Sequence, residues 1–238
     1  MRRRTHFLGK HWVVALLLSP SILTADFGHL GDEIAAVTPF VDWFHLDVMD
    51  GHYVPNLTFG VSTVEAVRRN CDLPLHVHLM IEDPGHYAAA FRDAGADRIS
   101  FHPEVVPDPA ETIAVIRQSG AGAGIAVHPD SGLEHVESHL EELDVVLMMT
   151  VRPGFGGQAF LGEMIPKIRA AATLVDATER DVDVEVDGGV KLDNVDQVVA
   201  AGARIVVSGS AIFDGEDAPA AAKRMRARLD DLERGGPR

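Results

Sequence analysis

The chain is short of three things. It has one cysteine, Cys71, in 238 residues. That excludes an intramolecular disulfide and any zinc site built from several thiolates. Cys71 follows Arg68-Arg69-Asn70 and reads as incidental rather than as a nucleophile. The chain is also short of positive charge: 21 Lys and Arg against 36 Asp and Glu leave a formal net charge of -15. A general basic surface for nucleic acid is excluded, because that affinity comes from neutralising phosphates. An anionic ligand would need a local device such as backbone N–H groups at a helix start. Finally, no apolar run is long enough to span a membrane. Arg2 to Arg4 followed by Trp12 to Leu18 imitates a signal peptide, but the run is short and no small-x-small cleavage site follows it. The expectation is a cytoplasmic protein without membrane or nucleic-acid partners, in which residues 1–11 form a ragged tail.

What is present is regular. Short apolar runs at Ala15–Leu18, Trp43–Val48, Leu75–Leu79, Arg98–Phe101, Ala123–Val127, Val145–Met149, Val182–Val186 and Ile205–Val207 read as strands. Helical patterns separate them, among them Pro84–Asp93, Pro109–Gln118, Leu133–Leu143, Met164–Thr178, Asn194–Ala200 and Ala218–Leu232. Ala110, Ile113, Ala114 and Ile116 have the spacing of an apolar helix face. Gly95 and Gly202 stand where helices end. Strict alternation implies a parallel sheet, and eight units imply closure into a single (β/α)8 barrel over residues 12–238, a fold of roughly 250 residues. An open doubly wound sheet is the alternative, but no G-x-G-x-x-G follows the first strand.

Barrel enzymes carry their chemistry at the C-terminal ends of the strands. Here those ends are rich in titratable groups. In the second strand His45 and Asp47 are two apart and share a face. In the third, His76, His78 and Met80 share one. In the seventh, valines at 182, 184 and 186 alternate with Asp183, Glu185 and Asp187. One inward histidine is most simply a satisfied core residue, and one aspartate a helix cap. Four groups converging at one rim, His45, Asp47, His78 and Asp187, need a partner for their buried charge. A divalent cation supplies it, and two imidazoles with two carboxylates suit Zn, Fe, Mn or Co.

Three loops beyond strands six, seven and eight are glycine-rich: Val151-Arg152-Pro153-Gly154-Phe155-Gly156-Gly157-Gln158, Gly188-Gly189 and Ser208-Gly209-Ser210. Any one of them could be only a tight turn. Together, at the end of a barrel where phosphates commonly bind, they form a candidate phosphate cradle. A metal, two carboxylates and a phosphate grip point to proton transfer beside a carbonyl through an enediolate. Asp47 and Asp187, from opposite sides, could remove a proton from one face of a carbon and return one to the other.

At this point the motifs resemble a family. Ser19-Pro20-Ser21-Ile22-Leu23-Thr24-Ala25-Asp26-Phe27, His45 through Asn56, Val77-His78-Leu79-Met80-Ile81, Pro153 through Gln158 and Glu185 through Val190 are similar to those of the ribulose-phosphate 3-epimerases. The resemblance covers about Leu18 to Phe213. It implies one divalent metal ion on His45, Asp47, His78 and Asp187, with Asp47 and Asp187 as proton acceptor and donor. It implies substrate contacts from Ser19 and His78, from Met49, Met80 and Met149, and from Gly154, Phe155, Gly156 and Gly157. Gly188, Gly189, Gly209 and Ser210 complete the implied phosphate site. The implied reaction interconverts D-ribulose 5-phosphate and D-xylulose 5-phosphate in the pentose phosphate pathway, in a chain that is usually a homo-oligomer.

Three positions depart from the family pattern: Arg152 in place of Asn, His76 in place of Asp, and His128-Pro129 in place of Asn-Pro. Arg152 could strengthen a phosphate site, recognise a further acidic group or pair with a local carboxylate. His76 could replace a carboxylate that orients a metal ligand. An epimerase for a related substrate such as allulose 6-phosphate, or a non-catalytic sugar-phosphate binder, is the alternative. A Schiff-base aldolase is not favoured, since none of the expected strands contains a lysine.

Overall fold

Strands and helices alternate through the residues described by the computed structural model, 5–8, 11–213 and 217–235. A short antiparallel ribbon, β1 (Thr5–Leu8) on β2 (His11–Val14), comes first. Eight strand–helix units follow among the described residues. They are β3 (Leu17–Ser19) and α1 (Leu30–Val37), β4 (Phe44–Met49) and α2 (Val61–Asn70), β5 (Leu75–Met80) and α3 (Pro84–Asp93), and β6 (Arg98–Phe101) and α4 (Pro109–Gln118). The second half has β7 (Gly122–Val127) and α5 (Glu134–His139), β8 (Val145–Met149) and α6 (Ile165–Ala177), β9 (Asp183–Asp187) and α7 (Val195–Ala200), and β10 (Ile205–Val207) and α8 (Ala218–Gly235).

The strand order is β3-β10-β9-β8-β7-β6-β5-β4, all parallel. The remaining seam, between β3 and β4, is bridged by His45 N–H donating to Pro20 O at 2.9 Å and by a parallel bridge between Ser21 and His45. The expected barrel is therefore nearly closed. Of the expected tail, residues 1–11, Thr5–Leu8 and His11 lie in the ribbon, while residues 1–4 and 9–10 lie outside the described residues. No helix among the described residues is long and apolar enough to cross a membrane.

Local chemistry explains the helix starts. Asp83 and Asp108 accept backbone N–H groups of His86 and Ala110, at 3.2 and 2.9 Å, and a proline takes the first helical position after each. The expected face of α4 is shifted. Thr112, Ile113 and Ile116 are buried and Ala114 is exposed. Thr112 lies four residues before Ile116 and shares its face, whereas Ala114 is one step round the helix. The expected helix over Leu133–Leu143 is α-helical only to His139, and ends in a tighter turn over Leu140–Glu142.

The strand parity expected from the sequence positions the site. Leu46, Val48, Val77, Leu79, Val184 and Val186 all belong to the apolar core between sheet and helices. Each such side chain contributes about 1.5–3 kcal/mol when fully buried. Residues alternating with them turn to the barrel interior. Cys71 is buried, and its Sγ accepts the Leu73 N–H at 3.2 Å.

Candidate active site

Register stacks the interior polar groups in two layers. β4 and β5 align His45 with His76 and Asp47 with His78. β8 and β9 align Leu147 with Glu185 and Met149 with Asp187. The deeper layer is a clamp. Glu185 accepts from His45 Nδ1 at 2.9 Å and from His76 Nδ1 at 2.8 Å. His76 Nε2 in turn lies 2.7 Å from Ser100 Oγ. Gly124 on β7 leaves the space that Ser100 fills, because a Cβ there would collide with the Ser100 hydroxyl and with Val145. His76 thus orients Glu185, and through it His45. It does not touch His78 through any hydrogen bond.

The upper layer faces a cavity. Asp47 accepts from Ser21 Oγ at 2.6 Å, and its Oδ1 is 3.0 Å from His78 Nδ1. His45 Nε2 lies 3.3 Å from Asp47 Oδ1 and 3.9 Å from Asp187 Oδ2. That nitrogen is fully buried and has no hydrogen-bond partner among the described residues. His45, Asp47, His78 and Asp187 each offer one ligand atom, all within 4.8 Å of one another. A nitrogen with no partner, flanked by two carboxylates, fits a cation with borderline nitrogen and oxygen preferences.

Electrostatics separate the two aspartates. Burial alone would raise the Asp47 carboxyl, but the His45 and His78 imidazoles beside it hold it well below the usual range. Asp187 is pushed up, first by burial and then by the Asp47 charge. Burial opposes the charge on His45, yet Asp47, Glu185 and Asp187 together hold its pKa well above normal. Burial likewise opposes ionisation of Glu185, and its two imidazole partners outweigh that and lower it. His76 and His78 are lowered, chiefly by burial.

The cavity beside Asp47 and Asp187 is walled by Met49, Met80 and Met149. The loops Gly154 to Gly157, Gly188-Gly189 and Gly209-Ser210 form its other side, with Phe155 at the rim. These loops interlock. Gly188 has φ +123°, and a Cβ there would sit 2.7 Å from Val151 N. Gly189 has φ +66°, and its Cβ would sit 2.6 Å from Phe160 N. Both positions require glycine for conformation and for space. Thr150 secures this turn, donating its N–H to Asp187 O at 2.7 Å and its hydroxyl to Gly188 O at 2.6 Å.

Of the residues expected here, Ser19 is displaced. It is fully buried, is not on the cavity wall, and its Oγ has no hydrogen-bond partner among the described residues. Ser21 takes the expected place. Ser21 stands opposite His45 in register, one interior layer above Ser19, and so reaches Asp47. Val151 and Gln158, the ends of the expected glycine-rich stretch, line the cavity as well, and so do Leu23 and Thr24, which were not foreseen. Residue alternation could have suggested Ser21, since it shares parity with Ser19. The others lie on loops, where no periodicity operates.

Arg152 is turned away from the cavity wall. Its guanidinium donates to both carboxylate oxygens of Asp130, at 3.1 and 3.2 Å, on an exposed surface. The local-carboxylate expectation is the one observed. His128 Nδ1 accepts the Asp130 N–H at 3.1 Å, in the same turn.

Comparison with known proteins gives the family and the fold. Residues 17–213 match the ribulose-phosphate 3 epimerase family. A Bacillus subtilis protein named ribulose-phosphate 3-epimerase is 46% identical over 211 residues, covering 88% of this chain and 97% of that one. Its namesake from Mycobacterium leprae is 44% identical over 212 residues, covering 89% and 94%. Among solved structures, KGPDC from Streptococcus mutans superposes with a TM-score of 0.71 at 14% identity, covering 92% of this chain and 99% of that one. That likeness is one of fold alone. The chain belongs to the ribulose-phosphate 3-epimerase family.

Proposed function

We propose that this protein interconverts D-ribulose 5-phosphate and D-xylulose 5-phosphate by moving a proton at C3 between two aspartates. One divalent cation, Zn, Fe, Mn or Co, would be held by His45, Asp47, His78 and Asp187. The observation that carries this reading is the position of Asp47 and Asp187 on the wall of one cavity, on two sides of the unpartnered His45 Nε2.

A cation bound there supplies Lewis acidity that offsets negative charge building on the substrate carbonyl oxygen. The rest falls to the chain. Asp47, held ionised, is the acceptor of the C3 proton, and Asp187, drawn towards its protonated form, is the donor on the opposite face. Ser21 fixes one Asp47 oxygen. Met49, Met80 and Met149 give the reacting carbon an apolar surround that excludes water. The interlocked loops at Gly154–Gly157, Gly188-Gly189 and Gly209-Ser210 present backbone to the phosphate. Arg152, engaged by Asp130, gives no reason to prefer a different ketose phosphate.

The test is turnover of D-ribulose 5-phosphate to D-xylulose 5-phosphate with Mn, Fe, Co and Zn supplied singly. Turnover with at least one is expected. None with any would overturn the reading, and turnover confined to another ketose phosphate would correct the substrate.

A further inference from the structure

One polar cluster plays no part in the reaction as described. His102, fully buried, follows the end of β6. Its Nε2 is 2.9 Å from His78 Nε2. Its Nδ1 is 3.4 Å from Glu104 Oε1, and that same oxygen accepts the Tyr53 hydroxyl at 2.8 Å. The Tyr53 ring covers the His102 ring, with centroids 4.8 Å apart. Three side chains from two loops thus converge on the far side of His78, away from Asp47.

We propose that Glu104, Tyr53 and His102 are positioning residues that hold His78 in the tautomer protonated at Nε2, so that its Nδ1 lone pair faces Asp47 and Asp187.

The argument runs from the carboxylate inward. Two ring nitrogens 2.9 Å apart share one proton, because two N–H groups would clash and two lone pairs would repel. The outer end of the chain decides which ring owns it. Glu104 Oε1 stands 3.4 Å from His102 Nδ1, short of a hydrogen bond, but its negative charge favours the Nδ1–H form of a neutral His102. A neutral His102 then has its lone pair on Nε2. His78 must donate from Nε2, which leaves His78 Nδ1 as an acceptor. That nitrogen lies 3.0 Å from Asp47 Oδ1, which competes for the same hydrogen, and a cation beside Asp47 settles the competition in favour of Nε2–H. His102 is fully buried, where a charged ring is costly.

His45 has a matching support on its other nitrogen, where Nδ1 donates to Glu185. Both imidazoles of the cluster are therefore backed by a carboxylate: one directly, one through a second histidine. Partners of this kind change metal affinity by about 10–100-fold when removed.

The proposal rests on the cation reading above, and the experiment separates the two. Zn²⁺ and Mn²⁺ affinities are measured by chelator competition on wild type, His102→Leu, His102→Gln, Glu104→Ala and Tyr53→Phe. His102→Leu should weaken binding about 10–100-fold. Glu104→Ala should weaken it less, and Tyr53→Phe least. His102→Gln, whose carbonyl can accept from Nε2–H, should recover part of the loss. In the Zn²⁺-loaded wild type, ¹⁵N NMR should place the shared proton on His78 Nε2, with scalar coupling across the bond to His102 Nε2.

If wild type takes up no divalent cation, the cation reading fails and the proposal with it. If wild type binds but the His102 and Glu104 variants keep full affinity, the positioning role alone fails. A shared proton found on His102 Nε2 overturns the proposal whatever the variants do, and needs no variant to fold.

Discussion

The barrel interior has a floor and a mouth, and they treat charge differently. At the floor Asp183 sits between two arginines, 2.7 Å from Arg98 Nη2 and 3.1 Å from Arg204 Nη1. The Arg98 guanidinium also lies over the Trp43 ring, 4.6 Å from its centroid. At the mouth, Asp47, Glu185 and Asp187 face imidazoles, most of which burial pushes towards neutrality. Two imidazole nitrogens there, His45 Nε2 and His102 Nδ1, have no hydrogen-bond partner among the described residues. Both regions arise from the same inward parity of β9, where Asp183, Glu185 and Asp187 are successive inward residues. The floor matches its anion with permanent cations and is a structural plug. The mouth keeps an excess of acid, which only a ligand or a proton can balance.

The largest test of this contrast removes the mouth carboxylates one at a time. Asp47→Asn and Asp187→Asn should each lower kcat by about 10²–10⁴-fold, the range general acid–base groups contribute. Circular dichroism should show an intact barrel. Retained turnover in either variant would break the two-base reading. At the floor the expected effect is on stability. Asp183→Ala takes the carboxylate from between two largely buried cations and should cost about 3–5 kcal/mol in denaturant melts. The kcat of the folded fraction should be unchanged; a loss of kcat without destabilisation would erase the distinction between floor and mouth.

Gly188→Ala comes next. Its Cβ would meet Val151 N and hold a disfavoured φ, a strain of about 1–3 kcal/mol. KM for the ketose phosphate should rise more than kcat falls, as steady-state kinetics would show.

Acid should loosen the mouth. His102 has a folded pKa lowered to about 4, by burial first. Its contribution to stability is complete above the unfolded value of about 6.5. The contribution is lost as pH falls from there towards the folded value, because the unfolded chain then binds the extra proton. Burial would raise Glu104, but His102 and Tyr53 lower it to about 2. Its contribution is lost later, as pH falls from about 4.3 to about 2. Melting of the metal-free protein across this range should show the first loss reduced in His102→Leu.

The smallest effect is expected at Arg152→Asn. An exposed ion pair contributes about 0–1 kcal/mol, and Arg152 is turned from the cavity towards Asp130. KM should hardly move. A marked change in KM would return Arg152 to the phosphate site.

Most of the mouth was legible in sequence because strand parity is a local rule. His45, Asp47, His78 and Asp187 were separable from Leu46, Val77 and Val186 by counting in twos. The glycines at 188 and 189 were legible because few other residues tolerate such turns. Ser19 was mistaken for Ser21 because parity places both inward and says nothing about height. Ala114 was mistaken for Thr112 because apolar character was weighed above position on the helix. His102 and Glu104 gave no signal, since they follow a strand rather than alternate along it.

Alternation of elements, direction of side chains and positions requiring glycine were thus determined by the sequence alone. These depend on backbone geometry within a few residues. The layer each inward group occupies, the meeting of β4 and β5 with β9 across the barrel, and the turn of Arg152 towards Asp130 were decided only by the tertiary structure. Those depend on the stagger of hydrogen-bonded strands round a closed barrel, which links residues as far apart as His45 and Glu185.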